Sequence, residues 1–196
     1  MKKLVVLALC AAVTACIVGN AAAEDLRGRF AVTARFGIVD PANGEKADRD
    51  GTLLVKTDAG VVGGGGFLFG LDDNIAMELE VTRSAFHATG LGDAGVTDLG
   101  VGAQYRLPEK QRFVPYGGAG IDVLINDAGS YVVDTTVGLY LKAGVDYMLM
   151  RQVALNAEIK GTEAFNADIR NFAGFKVGEF DPSNVGFTVG ARFFFN

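Results

Sequence analysis

The sequence predicts an all-β fold, an eight-stranded antiparallel up-and-down transmembrane β-barrel. Three observations carry that prediction: segments of roughly ten residues alternating apolar with small or polar side chains, connections that alternate long and short, and an export leader. Side chains in a strand point to opposite faces by turns, so each segment has one greasy face and one small or polar face. The final segment shows it best. Val185, Phe187, Val189, Ala191, Phe193 and Phe195 share one face, and Gly186, Thr188, Gly190 and Arg192 the other, with Phe194 as the apolar exception.

The remaining segments repeat the pattern in chain order. The first, Arg29 to Ile38, sets Phe30, Val32, Ala34, Phe36 and Ile38 against Arg29, Ala31, Thr33 and Arg35. The second, Val61 to Gly70, is rich in glycine, with Phe67 and Phe69 apolar. The third opposes Ile75, Met77, Leu79 and Val81 to Glu78, Glu80 and Thr82. The fourth opposes Leu99, Val101, Ala103 and Tyr105 to Asp98, Gly100, Gly102, Gln104 and Arg106. The fifth, Phe113 to Ile125, places Ala119, Ile121 and Val123 opposite Gly118, Gly120 and Asp122. The sixth places Val137, Leu139, Leu141, Ala143, Val145 and Tyr147 opposite Thr136, Gly138, Tyr140, Lys142, Gly144 and Asp146. The seventh places Val153, Leu155, Ala157 and Ile159 opposite Asn156, Glu158 and Lys160.

Three connections are short (Leu71 to Asn74, Leu107 to Arg112, Leu149 to Gln152), and four are longer (Val39 to Gly60, Arg83 to Gly95, Asn126 to Asp134, Gly161 to Asn184). They alternate in the order of short periplasmic turns and long extracellular loops. A soluble barrel would turn its apolar faces inward. The charges and glycines of the polar faces suit a lumen better than a solvated exterior.

Lys2 and Lys3, the apolar run Leu4 to Val18 and Ala21-Ala22-Ala23 read as a signal peptide, residues 1–23, cleaved after Ala23. Val13-Thr14-Ala15-Cys16 also resembles a lipobox, so acylation of Cys16 stands as an alternative. Cleavage after Ala23 leaves a single barrel domain, residues 24–196, without Cys10 or Cys16 and hence without thiol chemistry. Loss of the two lysines takes the formal charge from −5 to −7, an acidic balance with no basic footprint for nucleic acid. No stretch after the leader holds 18 apolar residues free of charge, so a membrane crossing must use a closed barrel, in which every backbone group is paired.

The polar faces collect the cations Arg29, Arg35, Arg106, Lys142, Lys160 and Arg192 and the anions Glu78, Glu80, Asp98, Asp122, Asp146 and Glu158. An eight-stranded barrel is just wide enough for its interior to be filled by side chains, and buried charges must pair. The balance of signs predicts an ion-paired plug, with pairs such as Glu78 or Glu80 to Arg35 or Lys142. A selective pore would instead need a ring of one sign.

Three segments resemble the OmpW family of outer-membrane proteins: "FLFGLDDNIAMELEV" (Phe67 to Val81), "RFVPYGGAGIDVLI" (Arg112 to Ile125) and "KAGVDYML" (Lys142 to Leu149). The resemblance implies a monomeric barrel in the outer membrane of a Gram-negative bacterium. It implies as partners outer-membrane lipids, the barrel-assembly machinery and small hydrophobic solutes that such porin-like proteins pass. The chain departs from the family in having no Trp.

In the last long loop, Phe165, Ile169, Phe172, Phe175 and Phe180 are apolar, and the first four are the vestibule candidates. The first three sit at helical spacing and predict a short amphipathic helix at the barrel mouth. Such a surface suits an apolar vestibule, and equally a loop packed on itself or dipping into lipid. The run Gly63 to Gly66 is no phosphate loop, since no Lys-Ser/Thr follows. It serves close packing, or weakens the wall toward the bilayer. Ser84 and the single histidine, His87, lack a third orienting group and are read as solvated loop residues, so no catalysis is expected. Asp40, Glu45, Asp48, Asp50 and Asp58 lack EF-hand spacing and read as a solvated loop with at most a weak hold on divalent ions, so neither a cofactor nor a resident metal is expected. The function expected is passive uptake of small hydrophobic molecules through an extracellular vestibule, with lateral exit into the bilayer. The alternative is a non-transporting barrel whose loops contact host, phage or lipopolysaccharide.

Overall fold

The computed structural model describes residues 26–48, 51–89, 92–107, 112–128, 132–170 and 176–195. In chain order the described strands are β1 (Phe30–Pro41), β2 (Gly44–Asp48), β3 (Gly51–Val55), β4 (Gly60–Gly70), β5 (Ile75–Ala88), β6 (Gly92–Arg106), β7 (Phe113–Ala128), β8 (Val132–Val133), β9 (Thr136–Met150), β10 (Val153–Ala164), β11 (Ala167–Arg170), β12 (Lys176–Phe180) and β13 (Asn184–Phe195). Eight of them close an antiparallel barrel in the order β1-β13-β10-β9-β7-β6-β5-β4, each strand beside its neighbours in sequence. The terminal strand closes on the first in an unbroken ladder from Phe30↔Phe195 to Pro41↔Asn184. Closure removes free edges, the condition for backbone to cross hydrocarbon.

Alternation puts Val32, Phe36, Ile38, Leu79, Val101, Ile121, Leu139 and Leu155 on the exposed outer wall. Aromatic side chains gather on that wall at the end bearing the short turns. Phe30 lies 5.6 Å from Phe67 and 4.8 Å from Phe69, Phe113 lies 5.0 Å from Tyr147, and Phe193 lies 4.8 Å from Phe195, measured between ring centroids. Phe and Tyr thus supply the interfacial aromatic belt that Trp commonly supplies.

The strands run further out of the membrane than the sequence suggested. β5 and β6 stay paired to Ala88↔Gly92, so most of the expected long loop Arg83 to Gly95 is paired strand. The other long connections carry strands of their own. β3-β2-β12-β11-β8 form a second, five-stranded sheet beyond the barrel mouth. The helix expected through Phe165, Ile169 and Phe172 is absent among the described residues, where Ala167–Arg170 is strand β11, paired to β12 and β8. Over this stretch Ala167 and Ile169 are buried and Asp168 and Arg170 half-buried, a period of two that the wider i, i+4, i+7 spacing masked.

Inside, the barrel is stacked in layers. At the turn end, Leu26, Ala31, Leu68, Ala76, Val114, Met148, Ala154 and Phe194 form an apolar floor. The N-terminal segment is tied beneath it by the Gly28 N–H donating to Gly70 O at 2.9 Å. At the loop end, Phe86, Ala88, Ala94, Val96 and Leu124 of the barrel meet Val133, Ala167, Ile169 and Phe180 of the loop sheet as an apolar cap, with Phe86 and Phe180 stacked 6.3 Å apart. Phe194, the exception on the polar face of the last segment, belongs to the floor. Charged groups fill the space between floor and cap.

Candidate functional site

The charged layer is assembled from seven strands. Its centre is Arg35 on β1, Glu78 and Glu80 on β5, Lys142 on β9 and Glu158 on β10. Arg35 lies 2.7 Å from Glu78 and 3.3 Å from Glu80, and is also ion-paired with Glu158. Lys142 pairs with Glu78, lies 3.0 Å from Glu80 and 3.5 Å from Glu158. Two neutral groups complete the carboxylates: the Gln104 amide donates to Glu78 at 2.6 Å, and the Tyr116 hydroxyl donates to Glu158 at 2.7 Å.

Toward the floor, Asp146 is held by Arg106 at 2.5 Å and Arg192 at 2.6 Å, and accepts the Asn156 amide at 2.7 Å. Arg192 also donates to the Thr33 hydroxyl at 2.9 Å. Toward the mouth, Lys160 pairs with Glu80 and lies 2.9 Å from Asp98 and 3.0 Å from Asp122, which accepts the Thr162 hydroxyl at 2.9 Å. Eleven of the twelve charged residues expected in the lumen are thereby brought together. Arg29 is not among them. It stands half-buried at the rim below the apolar floor, donating to Arg151 O at 2.8 Å with its guanidinium 5.0 Å from the Phe194 ring.

Sequence reading missed the two interior tyrosines as structural parts. Tyr140 crosses glycines on two neighbouring strands: a Cβ on Gly120 would stand 2.6 Å from its ring, and one on Gly102 2.2 Å from its hydroxyl. Tyr116 lies over Gly144 in the same way, 2.4 Å from a Cβ there. The glycines on the polar faces of the fourth, fifth and sixth segments were the available signal: they are slots for inward aromatic rings.

The apolar loop candidates part company. Ile169 is wholly buried in the cap, where it cannot serve as open vestibule surface. Phe165 is 73% exposed and follows the outward parity of β10, beside the lipid-facing end of β9, where its N–H donates to Val137 O at 3.1 Å. Phe172 and Phe175 lie outside the described residues. Ser84 and His87 fall on opposite faces of β5. The Ser84 hydroxyl donates inward to Val96 O at 3.3 Å, while the His87 ring stands outside, 3.2 Å from Asp93.

The loop sheet carries its own exposed ion pairs. Lys176 lies 2.7 Å from both Asp168 and Glu179, and Arg170 lies 3.2 Å from Asp134. Hydrogen bonding from Lys176 holds Asp168 and Glu179 below the ordinary carboxylate range, and the same bonds raise Lys176. Depressed carboxylates contribute their support above the unfolded value, near pH 4, and lose it as pH falls through their lower folded values. Amide protection in β11 and β12, relative to the intrinsic exchange rate at each pH, is therefore expected to hold from neutral pH to about pH 4 and to fall below it, while the barrel strands stay protected. Equal loss of protection at barrel amides would contradict a local effect.

Comparison with known proteins agrees with this geometry. The family model for the outer membrane protein beta-barrel domain matches residues 8–193. The solved structure of OprG from Pseudomonas aeruginosa is similar at 20% identity with a TM-score of 0.71, the match covering 87% of this chain and 97% of that one. Neisserial surface protein A is similar at 17% identity with a TM-score of 0.61, over 85% of this chain and 99% of that one. Among curated proteins none matches. With a closed eight-stranded barrel, a lipid-compatible outer wall and a family model spanning nearly its whole length, the chain belongs to the outer membrane protein β-barrel family.

Proposed function

We propose that this outer-membrane barrel provides passive uptake of small hydrophobic molecules, which collect at the extracellular mouth and leave sideways into the bilayer. The observation that carries the reading is the filled lumen. Arg35, Glu78, Lys142 and Glu158 have almost no exposed side-chain surface and lie between an apolar floor and an apolar cap. An apolar solute moving along the axis would have to separate buried ion pairs, which is strongly unfavourable. Displacing the cap and parting the wall avoids them.

The seam between β1 and β4 is the favoured exit, since Gly63 to Gly66 face Phe36 to Thr33 with few side chains to interlock. Its test is a reversible staple. Residues 26–195 contain no cysteine, and Phe36 pairs with Gly63 across the seam. In liposomes, oxidised Phe36→Cys/Gly63→Cys is expected to lose most uptake of an apolar solute, and reduction is expected to restore it. Uptake that is indifferent to oxidation would rule out this exit, and a large steady ion conductance in the unmodified protein would rule out the filled lumen.

The ordered five-stranded loop sheet favours a second reading, a surface-interaction barrel that transports nothing. In that case exchanging the loops alters adhesion or phage sensitivity, and permeability does not change.

A further inference from the structure

The charged layer is unevenly compensated. Among the described lumen residues, five cations (Arg35, Arg106, Lys142, Lys160, Arg192) meet six carboxylates (Glu78, Glu80, Asp98, Asp122, Asp146, Glu158). The shortfall sits at the top. Glu80, Asp98 and Asp122 offer oxygens within 4.8 Å of one another, and Lys160 is the one ammonium bonded to all three. Glu80 also reaches Arg35 and Lys142 below it. For Asp98 and Asp122, Lys160 is the sole cation among the described ion pairs.

The atoms left without a hydrogen-bond partner tell the same story. In this upper part they are oxygens: Oδ1 of Asp98, a residue 8% exposed, and, nearer the cap, Oδ1 of Asn126. The Tyr140 hydroxyl, over Gly102, lies between the two parts and can donate or accept. In the lower part, the Asn156 amide oxygen aside, they are the donors Arg35 Nε and Arg192 Nη2. Buried acceptors short of a donor, next to carboxylates short of a cation, mark a place where positive charge is missing.

We propose that Glu80, Asp98 and Asp122 form a Ca²⁺ site entered from the extracellular end, which the Lys160 ammonium fills when no ion is bound. Glu80 is shared with Arg35 and Lys142, whereas Asp98 and Asp122 share Lys160 alone and carry with it a formal charge of −1, a shortfall that an added cation offsets. Every donor is a hard oxygen, and the irregular arrangement suits Ca²⁺, which accepts six to eight oxygens flexibly, better than Mg²⁺, which demands a near-ideal octahedron. The side chains of Lys160 and Asp98 keep 14% and 11% exposure, whereas Glu80 and Asp122 are closed to solvent, so Asp98 and Lys160 form the accessible side of the cluster. The lysine stem is flexible enough to withdraw its compact charge as an ion arrives.

The test is calorimetric titration of the folded barrel in detergent with CaCl₂ at constant ionic strength, with MgCl₂ and NaCl as comparison arms and folding checked by heat-modifiable gel mobility. One saturable Ca²⁺ site is expected. Asp98→Asn should weaken it by roughly tenfold or more, Lys160→Met should tighten it by roughly tenfold, and Asp93→Asn, which removes an exposed carboxylate at the outer end of β6, should leave it unchanged. Absence of saturable binding in both the native protein and Lys160→Met overturns the proposal. So does Ca²⁺ binding that Asp98→Asn leaves intact, or an equal response to Na⁺, which would mean screening alone.

Discussion

Lys142→Met is expected to destabilise the folded barrel by about 3–5 kcal/mol, measured by denaturant unfolding in lipid vesicles with refolding as the reversibility check. The methionine keeps most of the volume and removes the charge, leaving Glu78, Glu80 and Glu158 short of a shared partner in a layer closed to water. The cost comes from the stranded carboxylates. For that reason Lys142→Met combined with Glu78→Gln should recover a substantial part of the loss, in a coupling that a double-mutant cycle resolves. A loss below about 1 kcal/mol in the single variant would mean that water reaches this layer, and would count against the filled lumen.

Gly120→Ala is expected to cost about 1–3 kcal/mol and to slow refolding, although it adds a single methyl group. Its Cβ would stand 2.3 Å from the Val101 carbonyl oxygen and 2.6 Å from the Tyr140 ring. The first contact is backbone and cannot swing away, and the second is a ring already laid across Gly102. Tyr140→Phe is the informative companion. The hydroxyl has no hydrogen-bond partner among the described residues, so its removal should be close to neutral or stabilising. If Gly120→Ala proved neutral and Tyr140→Phe costly, the ring would be held by its hydroxyl and not by the glycine slot.

How far the sequence could be read differs from one part of the molecule to another. Barrel strands advertise themselves because lipid and lumen impose opposite demands on alternate residues, so Glu78, Glu80, Lys142 and Glu158 declare their face by parity alone. Parity is silent about height along the barrel. Arg29 shares the inward parity of Arg35 yet lies below the floor set by Ala31 and Phe194, half-buried where Arg35 is enclosed. In the loops no membrane enforces alternation, and four residues of β11 are too short a run to overcome a chance helical spacing. The extended pairing of β5 with β6 went unread for a related reason. Above the membrane, Ser84, Phe86 and Ala94 face a loop cap that the sequence of the barrel strands does not announce.

By itself the sequence determined the number of barrel strands, their direction, the side of the wall on which each side chain falls and that the enclosed charges pair. All of these follow from a period of two and from the rule that buried charge must be matched. Only the tertiary structure decided which carboxylate meets which cation, how the polar layer is sealed by an apolar floor and cap, and that three loops join into one sheet. Those features depend on the stagger between strands and on contacts between residues such as Arg35 and Glu158, which stand far apart in the chain and meet only when the barrel closes.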